Sequence, residues 1–449
     1  MDLLPPPLPG TALRVLSTSD LGATTLPLRA SHGKGGTCAG VVALLERERE
    51  RVPAIWLDLG DFVVGHPSFP VREERPWEEV ADLPIAAATV GNHEFDDGVE
   101  AMRAAVARLR FPVLCANVDV GLDPSALVPT EGGPVGVIGL THPRVDVFTQ
   151  APPAVSDVSE RVTVLAKTLR RDGARWVVVL LHDGVEWWPQ GAGIDTRADR
   201  LDGVAAPWAR HVDLILCGHN FGDWTGALAG TPAAEPHLFA SSVAVCDLMP
   251  DRAIVRGIYR VPAVRPTTPS AARHVVESAA ARVVAELPTQ WVTRSGAPHY
   301  LPDLLAGALR RATGAEAGLI VPNYHGIQAP FDGVLAALGP GPVMELDLLR
   351  LFGSPGMDPV VVELGPGELK AAAAAQWLLA DPANTAADAL PENWCRMPLG
   401  LSAGTRGSGT VAMIPAVVPR VSEWLGRELN PEPAGVEVRS AVASVLAGR

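Results

Sequence analysis

The chain is predicted to be an α/β protein with mixed or stacked sheets, and three observations predict it. Apolar, β-branched runs alternate with helix-like segments through residues 12–260. Short motifs rich in Asp, Asn and His recur in that stretch, most of them directly after an apolar run. A second, shorter α/β alternation follows a proline-rich boundary at residues 262–269.

The elements follow in order. Runs at 13–16, 54–57, 85–90, 113–116, 135–138, 176–181 and 212–216 read as buried strands. Segments 37–48, 99–108 and 159–170 read as helices between them. Ser270 suits the N-cap of a helix running to about residue 287. Beyond it, 303–313 reads as a helix started by Pro302, 317–322 as a strand and 345–351 as a short helix. A strand at 359–364, a helix at 366–379 and a loop at 381–396 complete the pattern. The predicted organisation is one domain over 1–263, a linker helix over 264–290 and a smaller substrate domain over 291–449.

Composition excludes several classes. A formal charge of −13 argues against nonspecific nucleic-acid binding, although a local basic pocket for phosphate stays open. No run of eighteen apolar residues exists, so no membrane span is expected. The opening Met1-Asp2-Leu3-Leu4-Pro5 lacks a cationic leader, and the expected location is cytoplasmic. Five scattered cysteines without a Cys-x-x-Cys signal neither a disulfide framework nor a thiolate zinc site.

The motifs carry the chemistry. They read Ser19-Asp20-Leu21-Gly22, Gly60-Asp61, Gly91-Asn92-His93-Glu94-Phe95-Asp96, Leu181-His182-Asp183 and Cys217-Gly218-His219-Asn220. At the ends of successive parallel strands such residues gather on one rim of a sheet. Asp61, Asn92, His182 and His219 offer two oxygens and two nitrogens, a donor set for manganese, iron, zinc or cobalt rather than calcium. A cation held there activates water near neutral pH. His93 would stabilise developing charge or protonate a leaving oxygen, with Asp96 fixing its tautomer. A single Asn-His or Gly-His is usually an ordinary loop; four in order, each after a strand, point to a metal site.

Two other patterns lead elsewhere. Gly400-Leu401-Ser402-Ala403-Gly404 matches a nucleophile elbow, but the last histidine is His325, so a Gly-rich turn is expected. Gly33-Lys34-Gly35-Gly36-Thr37 lacks the first glycine of a P-loop and reads as the turn opening the helix after Thr37.

These motifs resemble those of the calcineurin-like metallophosphoesterases, and among them the 5′-nucleotidase family. Residues 57–65 and 90–98 are similar to that family's second and third motifs, and 111–118 and 136–141 to further segments. The resemblance implies a sandwich of two mixed sheets flanked by helices, plus a smaller C-terminal α/β domain. It implies Asp20 at a first metal, Asp61 bridging two metals, and Asn92, His182 and His219 at the second. It also implies His93 as catalytic, paired with Asp96.

Two departures fall on the first metal. Gly22 stands where the family has His, and Phe221 stands where the last motif's second His belongs. One divalent transition metal is therefore expected, and the second is left open. Asn220, Asp223, His32, His66 and His237 are the local groups that would rebuild the first site. The resemblance extends to about residue 420. Asn323 and Gln328 lie where the family binds substrate, with Gln328 replacing a phosphate-binding Arg, and Phe352 lies near a base-stacking Phe. Trp187 and Trp188 read as packing before recognition.

The expected function is metal-dependent hydrolysis of a phosphate monoester, a nucleotide or a related small phosphorylated metabolite. The alternatives are a non-catalytic binding protein, favoured by Gly22, Phe221 and Gln328, and a hydrolase of a non-nucleotide ester. The expected partner is a small phosphorylated substrate, with no nucleic acid and no membrane.

Overall fold

The computed structural model describes residues 4–27, 29–30, 33–34, 36–63, 76–143, 145, 153–156, 158–190, 193–220, 223–267, 270–292, 298–320, 337–352, 358–365, 367–369, 400–403 and 409–448.

Two six-stranded mixed sheets stack face to face. In the first, Leu13–Thr18, Ala54–Asp58, Ile85–Thr89 and Val113–Leu114 run parallel, and Ser242–Leu248 and Ala253–Arg260 add antiparallel strands at one edge. In the second, Val135–Leu140, Trp176–Leu181, Leu214–Cys217 and Thr231–Glu235 run parallel, flanked by Ser125–Val128 and Trp224–Leu228.

Strand alternation builds the layers. Leu13, Val15, Ile55 and Leu57 meet Val135, Val137, Val178 and Leu180 between the sheets. Their neighbours point outward. Leu16 and Trp56 pack against Val41, Leu44 and Leu45 of the helix Cys38–Arg49. Val177, Val179 and Leu181 pack against Val162, Ala166 and Leu169 of the helix Ser159–Arg171. Because both faces of both sheets are covered, the strands read as continuous apolar runs. The same layering brings the C-terminal ends of both parallel sets to one rim.

The C-terminal part is built on a five-stranded sheet ordered Gly400–Ala403, Ala317–Ile320, Gly409–Met413, Val360–Leu364, Glu432–Pro433. Helices Leu301–Thr313 and Val438–Ala447 bury Leu304, Leu305, Leu309, Val442 and Leu446 in its core.

Two expectations are corrected here. Ser270 does cap a helix, accepting from the Arg273 N–H at 3.0 Å, but that helix spans only Ala271–Ala281. Residues Val283–Leu287 form a strand antiparallel to Gly341–Met344 instead. Two consecutive valines open it, and Ala285 and Leu287 alternate into the core, which favours the extended chain. Gly400–Ala403 is a strand paired with Ala317–Ile320, not a turn. Phe352, 2% exposed, packs in the C-terminal core with Leu348 and Leu351. Asn323, Gln328, Phe221, His32, His66 and most of the 366–379 and 381–396 segments lie outside the described residues, as do the side chains of Trp187 and Trp188.

One buried charge network ties the first sheet together. The Arg14 guanidinium, fully buried, donates from Nε to Asp247 Oδ1 at 2.8 Å and from Nη2 to Asp247 Oδ2 at 3.1 Å. Its Nη1 reaches Glu48 and the Pro5 carbonyl. This joins the strand Leu13–Thr18 to the helix Cys38–Arg49, the strand Ser242–Leu248 and the N-terminal segment. Arg14→Ala leaves buried Asp247 with Arg256 and buried Glu48 with Arg51 as their remaining cations, and is expected to destabilise the fold by up to about 3–5 kcal/mol. The check is urea unfolding, with a lower midpoint and an unchanged slope.

Candidate metal centre

Six polar residues follow the parallel strands on the shared rim. Asp20 follows Leu13–Thr18, Asp61 follows Ala54–Asp58 and Asn92 follows Ile85–Thr89. His142, His182 and His219 follow Val135–Leu140, Trp176–Leu181 and Leu214–Cys217. The two sheets thus contribute three residues each, carboxylates and amide from one and imidazoles from the other.

The loops that carry them are tightly constrained. Asp20, Asp61 and His219 adopt left-handed φ values of 51°, 56° and 72°. Such a conformation costs about 1–3 kcal/mol at a non-glycine residue and persists only where neighbours hold it. The holding groups are visible. Buried Glu94 accepts the N–H groups of Asp61, Phe62 and Gly91 at 2.9, 3.0 and 2.7 Å. The Asp20 N–H donates to the Gly60 carbonyl at 3.0 Å, and the Phe239 N–H to the Asp20 carbonyl at 2.8 Å. The His219 N–H donates to Asp20 Oδ2 at 3.1 Å. The motif glycines serve this close approach: a Cβ on Gly91 would fall 2.1 Å from Asp61 Oδ1, and one on Gly218 2.1 Å from Ser19 Oγ.

His182 stands at the centre. Its Nδ1 lies 2.6 Å from the Leu59 carbonyl, which only a donor N–H can satisfy, so that nitrogen carries a proton. Its Nε2 faces two oxygens, Asn92 Oδ1 at 3.1 Å and Asp61 Oδ2 at 3.3 Å. Three electron-rich atoms converging in a fully buried place demand a cation between them. Without a metal, a proton takes that role. Burial pushes the imidazole down, but Asp61 and then Asp20 outweigh it and raise His182 to about 10. Burial pushes Asp61 up, but His182, His93 and His219 outweigh it and hold the carboxylate well below its usual range. Asp20 is pushed up to about 8, chiefly by burial, with the Asp61 charge adding and His182 opposing.

The residues fit a divalent metal. Ligand atoms of Asp61, His182 and His219 lie within 4.8 Å of one another, the one such group among the described residues. Asp61 Oδ2 and Asp20 Oδ1 are buried and accept no well-aligned hydrogen bond. Burial holds His219 well below its ordinary value, with His142 and His182 adding to the effect, so it offers a neutral nitrogen. His142, which lies in none of the motifs, is likewise pushed down to about 4 by burial. Its signal in the sequence is its place just past an apolar run, one residue (Thr141) further on than His182 stands after its own.

His93 is set apart from this cluster. Its backbone N–H donates to Asp61 Oδ1 at 2.9 Å, and its Nδ1 lies 3.1 and 3.2 Å from the two Asp96 oxygens. That pairing commits Nδ1 to Asp96, so proton exchange with a substrate falls to Nε2. The ring is 15% exposed, unlike the fully buried His182, so it sits at the mouth of the site.

Of the groups considered for rebuilding the first site, three are described. The Asn220 amide donates to the Gly184 and Val185 carbonyls at 3.0 and 3.2 Å. Asp223 accepts from the His237 N–H at 3.1 Å and from the Ser242 hydroxyl at 2.6 Å. His237 Nδ1 lies 3.2 Å from the Ser241 hydroxyl. All three hold local loops. Gly22 is itself left-handed at φ 54°, so a histidine there would be strained.

Comparison with known proteins agrees with this geometry. Residues 13–221 match the family model described as calcineurin-like phosphoesterase.

Over residues 13–221 the chain is similar to the calcineurin-like phosphoesterases.

Calcineurin-like phosphoesterases use divalent metals, and the matched region contains Asp20, Asp61, Asn92, His182 and His219. A 2′,3′-cyclic-nucleotide 2′-phosphodiesterase/3′-nucleotidase of Salmonella typhimurium is 24% identical over 278 residues, 53% of this chain and 43% of that protein. A mouse 5′-nucleotidase is 28% identical over 225 residues, 46% of this chain and 36% of that protein. The chain therefore spans less than half the length of these curated relatives. Among solved structures, a 5′-nucleotidase precursor of Thermus thermophilus superposes with a TM-score of 0.71 at 19% identity, over 97% of this chain and 96% of that one. A sulfate thiohydrolase of the same species, SoxB, does so at 0.67 and 16% identity, over 99% and 95%. Both likenesses concern the fold, and both extend beyond the phosphoesterase domain into the C-terminal part. No helix among the described residues is long and apolar enough to cross a membrane.

Gly91→Ala tests how closely the rim is packed. The added methyl must displace the Asp61 carboxylate, and metal affinity is expected to fall about 10–100-fold, the usual effect of disturbing a ligand's support. Equilibrium dialysis with Mn²⁺, with the variant's fold checked by circular dichroism, reads it.

Proposed function

We propose that this protein hydrolyses a small phosphate ester, a nucleotide or related phosphorylated metabolite, with one divalent transition metal as its working cofactor. The observation that carries the reading is the convergence of Asp61, Asn92 and His219 around the metal-facing nitrogen of His182. Asp61, Asn92, His182 and His219 would hold the ion, which is manganese, zinc, iron or cobalt on the chemistry of the donors. Asp20 would serve a second, weaker ion. When bound, the metal supplies Lewis-acid polarisation of a phosphoryl oxygen and a water that ionises near neutral pH.

The chain's own groups do the rest. His93 presents Nε2 at the open side, where it donates a proton to the departing oxygen. Asp96 accepts from Nδ1 and stabilises the ring while it is charged. Buried Glu94 keeps Asp61 and Gly91 in register, so no reorganisation is needed as charge develops. In this reading residues 1–263 carry the chemistry, 264–290 connect, and 291–449 supply substrate contacts through Asn323 and Gln328.

One observation favours a substrate without a nucleobase. The candidate stacking ring, Phe352, is taken up by the C-terminal core. Fold likeness to both a nucleotidase and a sulfate thiohydrolase leaves that choice to the side chains.

A panel of aryl phosphate, nucleoside monophosphates, cyclic nucleotides and sugar phosphates, each with Mn²⁺, Zn²⁺, Co²⁺ and Fe²⁺, is expected to show phosphate release for at least one pair. Complete silence across the panel would favour the binding-protein alternative. His93→Ala is expected to lower kcat about 10²–10⁴-fold while metal content, read by mass spectrometry, stays at the wild-type level. Unchanged turnover would remove His93 from the mechanism.

A further inference from the structure

We infer that His142 is a positioning residue for the metal centre: it packs against the imidazole of His219 and holds that ring in its ligating orientation. The inference rests on the metal-site reading above and concerns a residue that none of the motifs contains.

Its loop is built to place it. The Asn117 side chain clamps the preceding residue, donating to the Thr141 carbonyl at 2.7 Å and accepting the Thr141 N–H at 2.9 Å. The Thr141 hydroxyl donates to the Gly91 carbonyl at 3.0 Å, one residue before the candidate ligand Asn92. The backbone entering His142 is therefore tied to the loop that carries Asn92.

The ring then lies against a ligand. Its centroid is 4.2 Å from that of His219, tilted by 39°. On another side His219 meets His182 edge-on at 5.3 Å. With its backbone N–H on Asp20 and its ring between two imidazoles, His219 has little rotamer freedom. His142 has its own support. Its Nε2 lies 3.8 Å from Asp183 Oδ1, too far for a direct hydrogen bond but well within ion-dipole reach. Arg200 grips both Asp183 oxygens at 2.7 Å, and the Gly184 N–H adds a third contact at 2.9 Å. The order of contacts is thus Arg200, Asp183, His142, His219.

His142 does not belong to the group whose ligand atoms converge, so its contribution is through His219 rather than by ligation. Its side chain is only 13% exposed, and truncating it would open a void beside the ligand ring. Support of this kind is worth about 10–100-fold in metal affinity.

The test titrates Co²⁺ into the metal-free full-length protein and follows both affinity and the visible cobalt spectrum, for wild type, His142→Ala and His142→Phe. His142→Ala is expected to bind Co²⁺ about 10–100-fold more weakly, with altered bands, in a metal-free form that still unfolds cooperatively. His142→Phe keeps a flat ring against His219 and is expected to recover most of the affinity and the wild-type bands. Wild-type affinity and spectrum in His142→Ala would overturn the inference. So would a His142→Phe as weak as His142→Ala, which would make a ring nitrogen the essential part. If wild type itself binds no Co²⁺, the metal-site reading fails first and this one with it.

Discussion

The constraint on which the site depends is electrostatic. His182 Nδ1 is committed to the Leu59 carbonyl, so Nε2 must face Asp61 and Asn92 as a bare lone pair unless something positive lies between them. In a fully buried setting that arrangement is unfavourable without a cation. Asp61 raises His182 and His182 holds Asp61 down, so without a metal a proton would meet that demand. A divalent ion would supply a larger charge and release that proton on binding. Metal binding at this centre is therefore coupled to pH, and it weakens as the pH falls.

Holding the donors so close together requires support elsewhere. Left-handed backbone at Asp20, Asp61 and His219 is unfavourable, and each instance is offset by directed hydrogen bonds from Glu94, Gly60, Phe239 and Asp20 itself. Those bonds are only as rigid as the sheets beneath them. The apolar layer between the sheets and the Arg14–Asp247–Glu48 network fix the strands whose ends carry the donors. Site geometry and global stability are linked through the same strands.

Much of this is legible in the sequence. Buried parallel strands declare themselves as apolar runs, and the 13–16, 54–57 and 176–181 runs lie within strands. Residues that follow such runs share a rim, which is why Asp61, Asn92, His182 and His219 can be grouped before any coordinates are seen. What is less legible depends on tertiary context. The helix after Ser270 stops at Ala281 because Val283, Ala285, Glu286 and Leu287 find strand partners in residues 341–344, far along the chain. Gly400–Ala403 reads as a turn until the strand Ala317–Ile320 lies beside it. His142 and the Asn117–Thr141 clamp matter through neighbours more than twenty residues away, which motif spacing does not register.

Asp61, Asn92 and His219 come together around His182, while the sequence carries Gly22 and Phe221 where the resemblance leads one to expect imidazoles. On the proposed reading this centre holds one ion firmly. Anomalous scattering at the manganese edge from Mn²⁺-grown crystals tests that most directly. The account predicts a dominant peak within about 2.0–2.3 Å of Asp61, His182 and His219 donor atoms. A map with no peak among these three residues, or with its strongest peak elsewhere in the molecule, would contradict it.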